Sequence, residues 1–320
     1  MCRTGQRSVK ELLYIVQTAL ELGFLYALVA MALFLSYRIL DIADLTTDGA
    51  FVLGAAVSVT VTAAGHPFLA IPAAMVAGAC AGFVTAFLQT RLGVPSILAG
   101  IVTNTGLYTV NLMVMGWSSN VSLLKDDTIF SLFRTTGIGG KWYETVLAGG
   151  VTILMAVLLV LFLGTRLGLA IRATGNNIDM VRSSSINPSF TTIVGLCVAN
   201  AFTGLSGCLL SQSQRSADVN IGTGMVTIAL ASLIIGETLL GKRSMILRVS
   251  GVVFGSCLYR FIVAVALRFN VPAAAMKLVS ALIVAVAISM PAIRQKIAFE
   301  KRKQEARLRH AKTHGKKEAV

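Results

Sequence analysis

Charged side chains are scarce in this chain. Only 13% of its 320 residues are Asp, Glu, Lys or Arg, whereas a soluble domain carries about 25%. No such residue occurs in 49–90, 92–124 or 183–214. Because about 20 apolar residues span a bilayer, each run can hold a membrane helix. The scarcity of charge excludes a soluble single-domain enzyme, and continuous apolar runs exclude an outer-membrane barrel, whose strands alternate polar and apolar residues.

Residues that bind metals or act as catalytic bases are also few. The only histidines are His66, His310 and His314, and the five cysteines show no CxxC spacing. The sequence Gly-Leu-Ser-Gly at 204–207 has the form of a serine nucleophile pattern, but no histidine lies in a later span to act as its base. Gly204, Ser206 and Gly207 are better interpreted as a small-residue helix contact. A membrane-embedded enzyme therefore lacks a catalytic set, and we expect this chain to bind no metal or cofactor.

Positive charge, by contrast, is abundant. The formal net charge is +14, and ten of the 28 Lys and Arg residues follow Pro291. A basic tail next to apolar spans indicates the cytoplasmic side of the membrane and contact with anionic lipids. This distribution argues against nucleic-acid binding and predicts a basic cytoplasmic tail over 293–320.

Hydropathy predicts an all-α, polytopic helical integral membrane protein of eight to ten spans, with the transmembrane domain over 1–292. The mean hydropathy of +0.78 supports this class. Nine candidate spans can be placed, at 15–37, 49–64, 67–89, 95–115, 143–164, 190–212, 223–241, 249–267 and 274–292.

A conflict arises at the N-terminus. Counting back from a cytoplasmic tail puts 165–189 in the cytoplasm and 116–142 outside. Nine full spans then leave the N-terminus outside, although its Lys and Arg residues favour the cytoplasm. Either one apolar segment is a broken or re-entrant helix, or a span is missed. The best candidate for a broken helix is 40–64, because irregular backbone at membrane depth must be buried in protein or line a cavity.

Several polar residues beside apolar spans are candidates for a transport pathway. The sequence LDIADLTTDGAF holds three aspartates next to a short apolar stretch. We expect Thr47, Asp48 and Gly49 to lie at the translocation pathway or at a dimer axis, with a solvated loop as the alternative. Glu237 is the other candidate, either in the pathway or at a subunit contact, or as a hydrogen-bonded residue that locks helix ends.

The segment 164–190, GTRLGLAIRATGNNIDMVRSSSINPSF, lies between two spans and is rich in Gly, Asn and Ser. We expect Gly175 to break a first helical stretch and Asn176 or Asn177 to cap a short second helix. One face of that helix would carry Ile178, Val181 and Ser185, followed by Ile186. A plain connector is the alternative.

This segment resembles the cytoplasmic coupling loop of ABC importer permeases of the branched-chain amino acid and ribose family. The family pattern G-x-x-x-R-A-x-G-x-N-x-x-x-A-x-x-x-G-I is met by Gly168, Arg172, Ala173, Gly175, Asn177 and Ile186. Val181 replaces an Ala, and Ser185 replaces the usual Gly. The segments 37–57, 94–124 and 229–237 are similar to tryptophan/tyrosine-type permeases of that family.

The resemblance implies a permease subunit of an ATP-driven importer in the cell membrane. It implies a homodimer that binds a separate ABC ATP-binding subunit and an extracytoplasmic substrate-binding protein, with ATP and Mg²⁺ held by the ATPase. The solute would be small, such as an amino acid. The ATPase would contact the coupling loop, 165–189, through Arg172, Gly175, Asn177, Ile178, Val181, Arg182 and Ile186. The alternative function is a secondary transporter or channel, which predicts inverted repeats and ionisable groups at the membrane midplane.

Overall fold

The structure, a computed structural model, describes residues 2–268 except 136, 138, 139, 242 and 243, and isolated positions between 278 and 303. The predicted ninth span, 274–292, and the basic tail, 293–320, lie outside the continuously described residues. Within the described part the chain forms eleven α-helices and two short strands.

The helices are α1 Cys2–Leu33, α2 Thr47–Ala63, α3 Pro67–Arg91, α4 Ser96–Val114, α5 Ile129–Thr135, α6 Tyr143–Gly164, α7 Arg166–Asn176, α8 Ile178–Ser183, α9 Pro188–Gln214, α10 Met225–Leu240 and α11 Met245–Arg268. A π-helical turn, Phe34–Ile39, continues α1. The strands β1 Asn120–Ser122 and β2 Ser216–Asp218 pair antiparallel, with Val121 opposite Ala217.

Six helices in the described part are long and apolar enough to cross a membrane: α1 with its π-helical turn, α3, α4, α6, α9 and α11. The other two predicted spans in this part form α2 and α10, apolar helices of 17 and 16 residues. At 1.5 Å per residue these two are about 25 Å long, less than the hydrocarbon core of about 30 Å. All eight predicted spans before residue 269 are therefore confirmed as helices, and two of them are short.

Contacts between helix ends show which ends share a side of the molecule. Near the start of the apolar part of α1, which begins at Ile15, Glu21 accepts a hydrogen bond from Ser213 at 2.7 Å, close to the end of α9 and the β1–β2 pair. The other end of α1 reaches the coupling loop, where Gly175 packs against Ile39. We call these the hairpin side and the coupling-loop side. The start of this apolar part is thus opposite the coupling loop, as the five crossings before that loop, by α1, α2, α3, α4 and α6, require.

The stretch before α2 explains the expected broken helix. After the π-helical turn the chain is irregular over 40–46 and only then becomes α2. Together, 40–46 and α2 make one crossing from the coupling-loop side to the hairpin side. The helix is broken, as expected, but the break does not change the number of crossings.

Helix α9 lies at the centre of the core and packs most extensively against α3 and α2. Small residues allow this approach: a Cβ on Gly204 would overlap the backbone of Ala74 in α3, and one on Gly207 would overlap the backbone of Phe51 in α2. The Ser206 hydroxyl donates to the carbonyl of Leu25 at 2.6 Å. The interpretation of Gly204, Ser206 and Gly207 as a helix contact is confirmed.

Candidate functional site

The coupling loop contains the short helix that its sequence predicts. Asn177 adopts an extended conformation, and its side-chain oxygen accepts the N–H groups of Asp179 and Met180, each at 3.0 Å. These donors would otherwise lack partners in the first turn of α8. Asn177 is therefore the N-cap, and Val181 is the buried residue of α8.

The expected break at Gly175 is wrong. Gly175 lies inside α7, an 11-residue helix whose N-cap, Thr165, accepts the N–H of Gly168. The helix ends at Asn176, because Asn177 leaves the helical conformation in order to cap α8. Gly175 instead allows a close approach, since a Cβ there would overlap the carbonyl oxygen of Ile39. This contact joins the coupling loop to the end of the first membrane helix.

The predicted face of the short helix is also wrong. Helix α8 has six residues and ends at Ser183, before Ser185 and Ile186. Ile178 is 48% exposed and Ile186 is 37% exposed, whereas Val181 is 1% exposed. Ser185 has a φ of +59°, a left-handed conformation that favours glycine. The family's usual Gly at this position thus matches the backbone that the structure shows.

The two arginines of the loop differ in exposure. Arg172 is half-buried on α7, whereas Arg182 is exposed at the end of α8. A nitrogen of Arg182 lies 3.9 Å from a carboxylate oxygen of Asp179. A surface pair of this kind contributes about 0–1 kcal/mol, so Arg182 adds little to the fold.

Buried polar contacts hold the irregular segment 40–46. The Asp44 carboxylate accepts a hydrogen bond from Asn200 of α9 at 2.7 Å and one from the Thr46 N–H at 2.9 Å. The hydroxyls of Thr46 and Thr85 lie 2.6 Å apart, and the Thr47 hydroxyl donates to the Asp44 carbonyl at 3.2 Å. Asp44, Thr46 and Thr47 are buried, which contradicts the alternative of a solvated loop.

Asp48 connects the starts of the two short helices. Its carboxylate oxygens accept the N–H of Gly224 at 3.0 Å and that of Val226 at 2.9 Å. Gly222 packs so closely that a Cβ there would overlap the Asp48 carbonyl oxygen. Since the N-terminus of a helix carries a partial positive charge, the carboxylate stabilises the start of α10.

A small cavity with several polar residues in its lining lies beside this junction. It has a volume of about 190 Å³ and is bounded by α2, α4 and the loop before α10. Gly49 faces α4, and its carbonyl accepts a hydrogen bond from the Asn111 side chain at 3.2 Å. The residues around the cavity are Asp48, Gly49, Val52, Asn104, Thr105, Tyr108, Asn111, Val219, Asn220, Gly222 and Thr223.

Glu237 is paired with two arginines on the coupling-loop side. The Arg38 Nε lies 2.9 Å and an Arg248 terminal nitrogen 3.3 Å from the same Glu237 oxygen. The Arg248 guanidinium also lies 5.1 Å from the centre of the Phe34 ring. This cluster ties the π-helical turn to α10 and α11. Thr47, Asp48 and Gly49 lie together, whereas Glu237 lies near the opposite end of α10.

The described residues of 116–142 form the hairpin side together with β2. Trp117, Leu124 and Lys125 are exposed there. Phe130, in contrast, is 3% exposed and packs in the core. The side-chain Oε1 of the buried Gln212 accepts the Ile129 N–H at 3.0 Å and so fixes the start of α5.

Sequence reasoning missed two parts of this arrangement. Asn200 lies within the uncharged run 183–214, and its polarity there was a usable signal for a buried partner. On α4, Asn104, Tyr108 and Asn111 are spaced i, i+4 and i+7, which places them on one helix face. Their spacing within an apolar span could have indicated the cavity.

Comparison with known proteins identifies the family. A family model described as the permease component of a branched-chain amino acid transport system matches residues 15–288. The chain belongs to this family of ABC transporter permeases. It is therefore a multi-pass membrane protein and the permease component of an ABC importer. Permeases of this family work with an ATPase and a substrate-binding partner.

Individual relatives agree with the family. The permease is 32% identical over 263 residues to a tyrosine transport system permease protein of Clostridioides difficile, covering 82% of this chain and 86% of that protein. It is 32% identical over 223 residues to an uncharacterized protein of Rickettsia prowazekii, covering 70% and 77%. It is 24% identical over 221 residues to a ribose import permease of Haemophilus influenzae, covering 68% and 67%.

Proposed function

We propose that this permease imports an amino acid, with an aromatic amino acid as the leading candidate, by ATP-driven alternating access. The substrate class is supported by the similarity to a tyrosine transport permease. ATP and Mg²⁺ belong to the partner ATPase, and this chain binds no cofactor. The coupling-loop side, and with it the C-terminal tail, faces the cytoplasm.

In this mechanism, the contact between Gly175 and Ile39 transmits movement from the coupling loop to the membrane helices. The ATPase subunit binds the coupling loop through α8 and the adjoining residues of α7. Ile39 ends the first membrane helix, and the irregular segment 40–46 follows directly. A movement of α7 therefore acts on Ile39 and then on the start of α2. Because packed interiors are close to incompressible, a displacement of α7 is passed on to the helices that it contacts.

The second step is the junction between the two short helices. A shift of α2 carries the Asp48 carboxylate, which is hydrogen-bonded to the first turn of α10. Thr47, Asp48 and Gly49 then change position relative to α4 and α10. We assign these three residues to the translocation pathway. ATP can drive this change only through contacts that differ between the two states.

The exposed surface of α8 suits a protein partner. Ile178 and Met180 are 48% and 55% exposed, next to the exposed Arg182. Apolar side chains beside an arginine are typical of protein interfaces. Ile178, Arg182 and Ile186 thus contact the ATPase, Asn177 and Val181 hold α8 in place, and Arg172 supports α7.

The hairpin side receives the substrate-binding protein. Its exposed Trp117, Leu124 and Lys125 provide apolar and charged contacts. Two copies of the chain form the pathway between them, with the exposed face of α4 turned toward the second copy. Apolar residues on that face include Ile101, Val102 and Tyr108.

Reconstitution tests this function. The permease is purified with its partner ATPase and substrate-binding protein, and ATP-dependent uptake of labelled tyrosine, leucine and ribose into proteoliposomes is measured. We expect uptake of tyrosine that requires ATP and the binding protein. Uptake down a gradient without ATP would instead support a channel or secondary transporter. Retention of the ATPase on an Arg182→Glu permease column, compared with wild type, tests the docking surface.

A further inference from the structure

A second cavity lies on the coupling-loop side of the molecule, away from the one beside Asp48. It has a volume of about 410 Å³, within the range of about 300–1,000 Å³ that small-molecule sites occupy. One wall comes from the coupling loop, and the other comes from 40–42, the end of α3 and the starts of α4 and α9. More than half of its accessible lining is polar. The cavity therefore suits a polar small molecule that touches both walls.

One wall presents a carboxylate that has no partner. Asp41 is exposed, and its carboxylate makes no hydrogen bond or ion pair with any residue that the structure describes. Its φ of +58° is uncommon outside glycine, and strained backbone of this kind is often found where ligands bind. The Asp41 carboxylate is thus accessible to a ligand that donates hydrogen bonds.

The coupling-loop wall presents a guanidinium group. Arg182 is exposed, and its ion pair with Asp179, itself exposed, has a separation of 3.9 Å. A surface pair of this length holds the guanidinium only weakly. A guanidinium can bind a carboxylate through two parallel hydrogen bonds. The cavity thus carries one accessible group of each charge, on walls that belong to different parts of the chain.

We propose that this cavity binds a free amino acid from the cytoplasm as a zwitterion, with its ammonium group on Asp41 and its carboxylate on Arg182, and that the bound molecule restrains the coupling loop. An ammonium group only donates hydrogen bonds and a carboxylate only accepts them, so each end matches one wall.

The position of the cavity gives the bound molecule its effect. Gly175, whose contact with Ile39 links the loop to the first membrane helix, also lines the cavity. A ligand that bridges Asp41 and Arg182 ties 40–42 to α8 and opposes their relative movement. An amino acid that accumulates in the cytoplasm then slows its own import. The inference rests on the proposed import of an amino acid and adds its regulation.

Calorimetric titration of the full-length permease in nanodiscs tests the binding with three probes of one shape. Tyrosine has both charged groups, tyramine keeps only the amine, and 3-(4-hydroxyphenyl)propionate keeps only the carboxylate. We expect tyrosine to bind and each analogue to bind at least about tenfold more weakly, because each loses hydrogen bonds to a charged group. Absence of tyrosine binding, or an analogue that binds as tightly as tyrosine, would overturn the proposal.

Two variants locate the binding. Asp41→Asn removes the negative charge, and because Asn also tolerates the left-handed conformation, the backbone should be kept. Its affinity for tyrosine should fall at least about tenfold. Ser189→Trp fills the cavity from the first turn of α9 and should abolish binding. The control is Asp127→Asn, at an exposed carboxylate on the hairpin side, with unchanged affinity. Unchanged affinity in both cavity variants would overturn the proposal.

The restraint is tested by ATP turnover of the whole transporter in nanodiscs, where both faces are accessible. With a saturating amount of tyrosine-loaded binding protein, added free tyrosine should lower turnover several-fold in wild type and leave it unchanged in Asp41→Asn. Turnover of wild type that does not respond to free tyrosine would overturn the restraint.

The outcomes separate this inference from the proposed function. ATP-driven uptake of tyrosine, with unchanged tyrosine binding in Asp41→Asn and in Ser189→Trp, would reject the cavity and leave the function standing. Tyrosine binding that both variants lose, without ATP-driven uptake of any amino acid by wild type, would support the binding site and reject the function.

Discussion

The carboxylate of Asp48, at the start of α2, accepts the backbone N–H of Val226, at the start of α10, at 2.9 Å. Both helices are too short to cross the bilayer, and they begin at this shared point. A carboxylate at a helix N-terminus contributes about 0.3–1 kcal/mol, and up to about 2 kcal/mol when partly buried. The bond therefore makes the positions of the two helices interdependent.

The first prediction concerns this junction. Asp48→Ala removes both hydrogen bonds to the first turn of α10, so we expect a loss of about 2 kcal/mol in stability. Asp48→Asn keeps one acceptor oxygen, so the loss of stability should be about half as large. Thermal unfolding of the purified permease measures both. The exposed Asp127 serves as the control, and Asp127→Asn should leave the melting temperature unchanged. Equal melting temperatures for all three variants would contradict the role of the junction.

The second prediction concerns the cap of α8. Asn177→Ala removes the oxygen that accepts the Asp179 and Met180 N–H groups, at a cost of about 1 kcal/mol. These two amides should then exchange with deuterium several-fold faster, while the amides of α9 keep their protection. Asn176→Ala, one residue earlier and exposed, is the matched control. Unchanged exchange at Asp179 in Asn177→Ala would show that the cap does not hold the helix.

The third prediction uses two neighbouring serines. Ser185 has a φ of +59°, whereas Ser184 has a φ of −90°. Ser185→Gly should relieve backbone strain of about 1 kcal/mol and slow deuterium exchange in α8. Ser184→Gly should instead speed deuterium exchange in α8, because glycine there adds only freedom to the unfolded chain. If both substitutions shift exchange in the same direction, the left-handed conformation of Ser185 is not strained.

The fourth prediction compares two ion pairs. Glu237→Ala leaves Arg38 and Arg248 uncompensated in a partly buried cluster, and removing one partner of a buried pair costs about 3 kcal/mol. Asp179→Asn breaks only the exposed pair with Arg182 and should cost less than about 0.5 kcal/mol. The melting temperatures of the two variants should therefore differ by several degrees. Similar melting temperatures would mean that Glu237 does not hold α10 and α11 in place.

Features that depend on residues close together in the chain could be predicted from the sequence, whereas features that depend on distant residues could not. Apolar runs set the eight spans before residue 269, and local hydrogen bonds set the Asn177 cap, so both were predicted correctly. Gly175 was misinterpreted because a glycine inside a helix is a plausible end signal, whereas its actual reason is contact with Ile39, 136 positions away in the chain. The exposure of Ile178 and Ile186 could not be predicted, because a six-residue helix does not sustain a periodic face.

Local sequence patterns could not predict the partners of the buried polar side chains. The sequence singled out Asp48, but nothing near it indicated a partner at Val226. The partners of Asp44 and Glu237, Asn200 and Arg38, come from helices far away in sequence. Such pairs form only when the helices pack, so they require the three-dimensional structure.

ATP turnover in proteoliposomes decides whether the contact between Gly175 and Ile39 transmits movement from the ATPase to the pathway. The comparison is between Gly175→Ala, whose methyl group would overlap the Ile39 carbonyl oxygen, and Gly164→Ala, whose methyl group meets no other described residue within 4 Å. Both complexes are assayed with and without loaded binding protein, after confirming equal ATPase content. We expect Gly175→Ala to keep its basal turnover and to lose most of its stimulation and uptake, and Gly164→Ala to behave as wild type. Full stimulation and normal uptake by Gly175→Ala would show that the loop is only a connector.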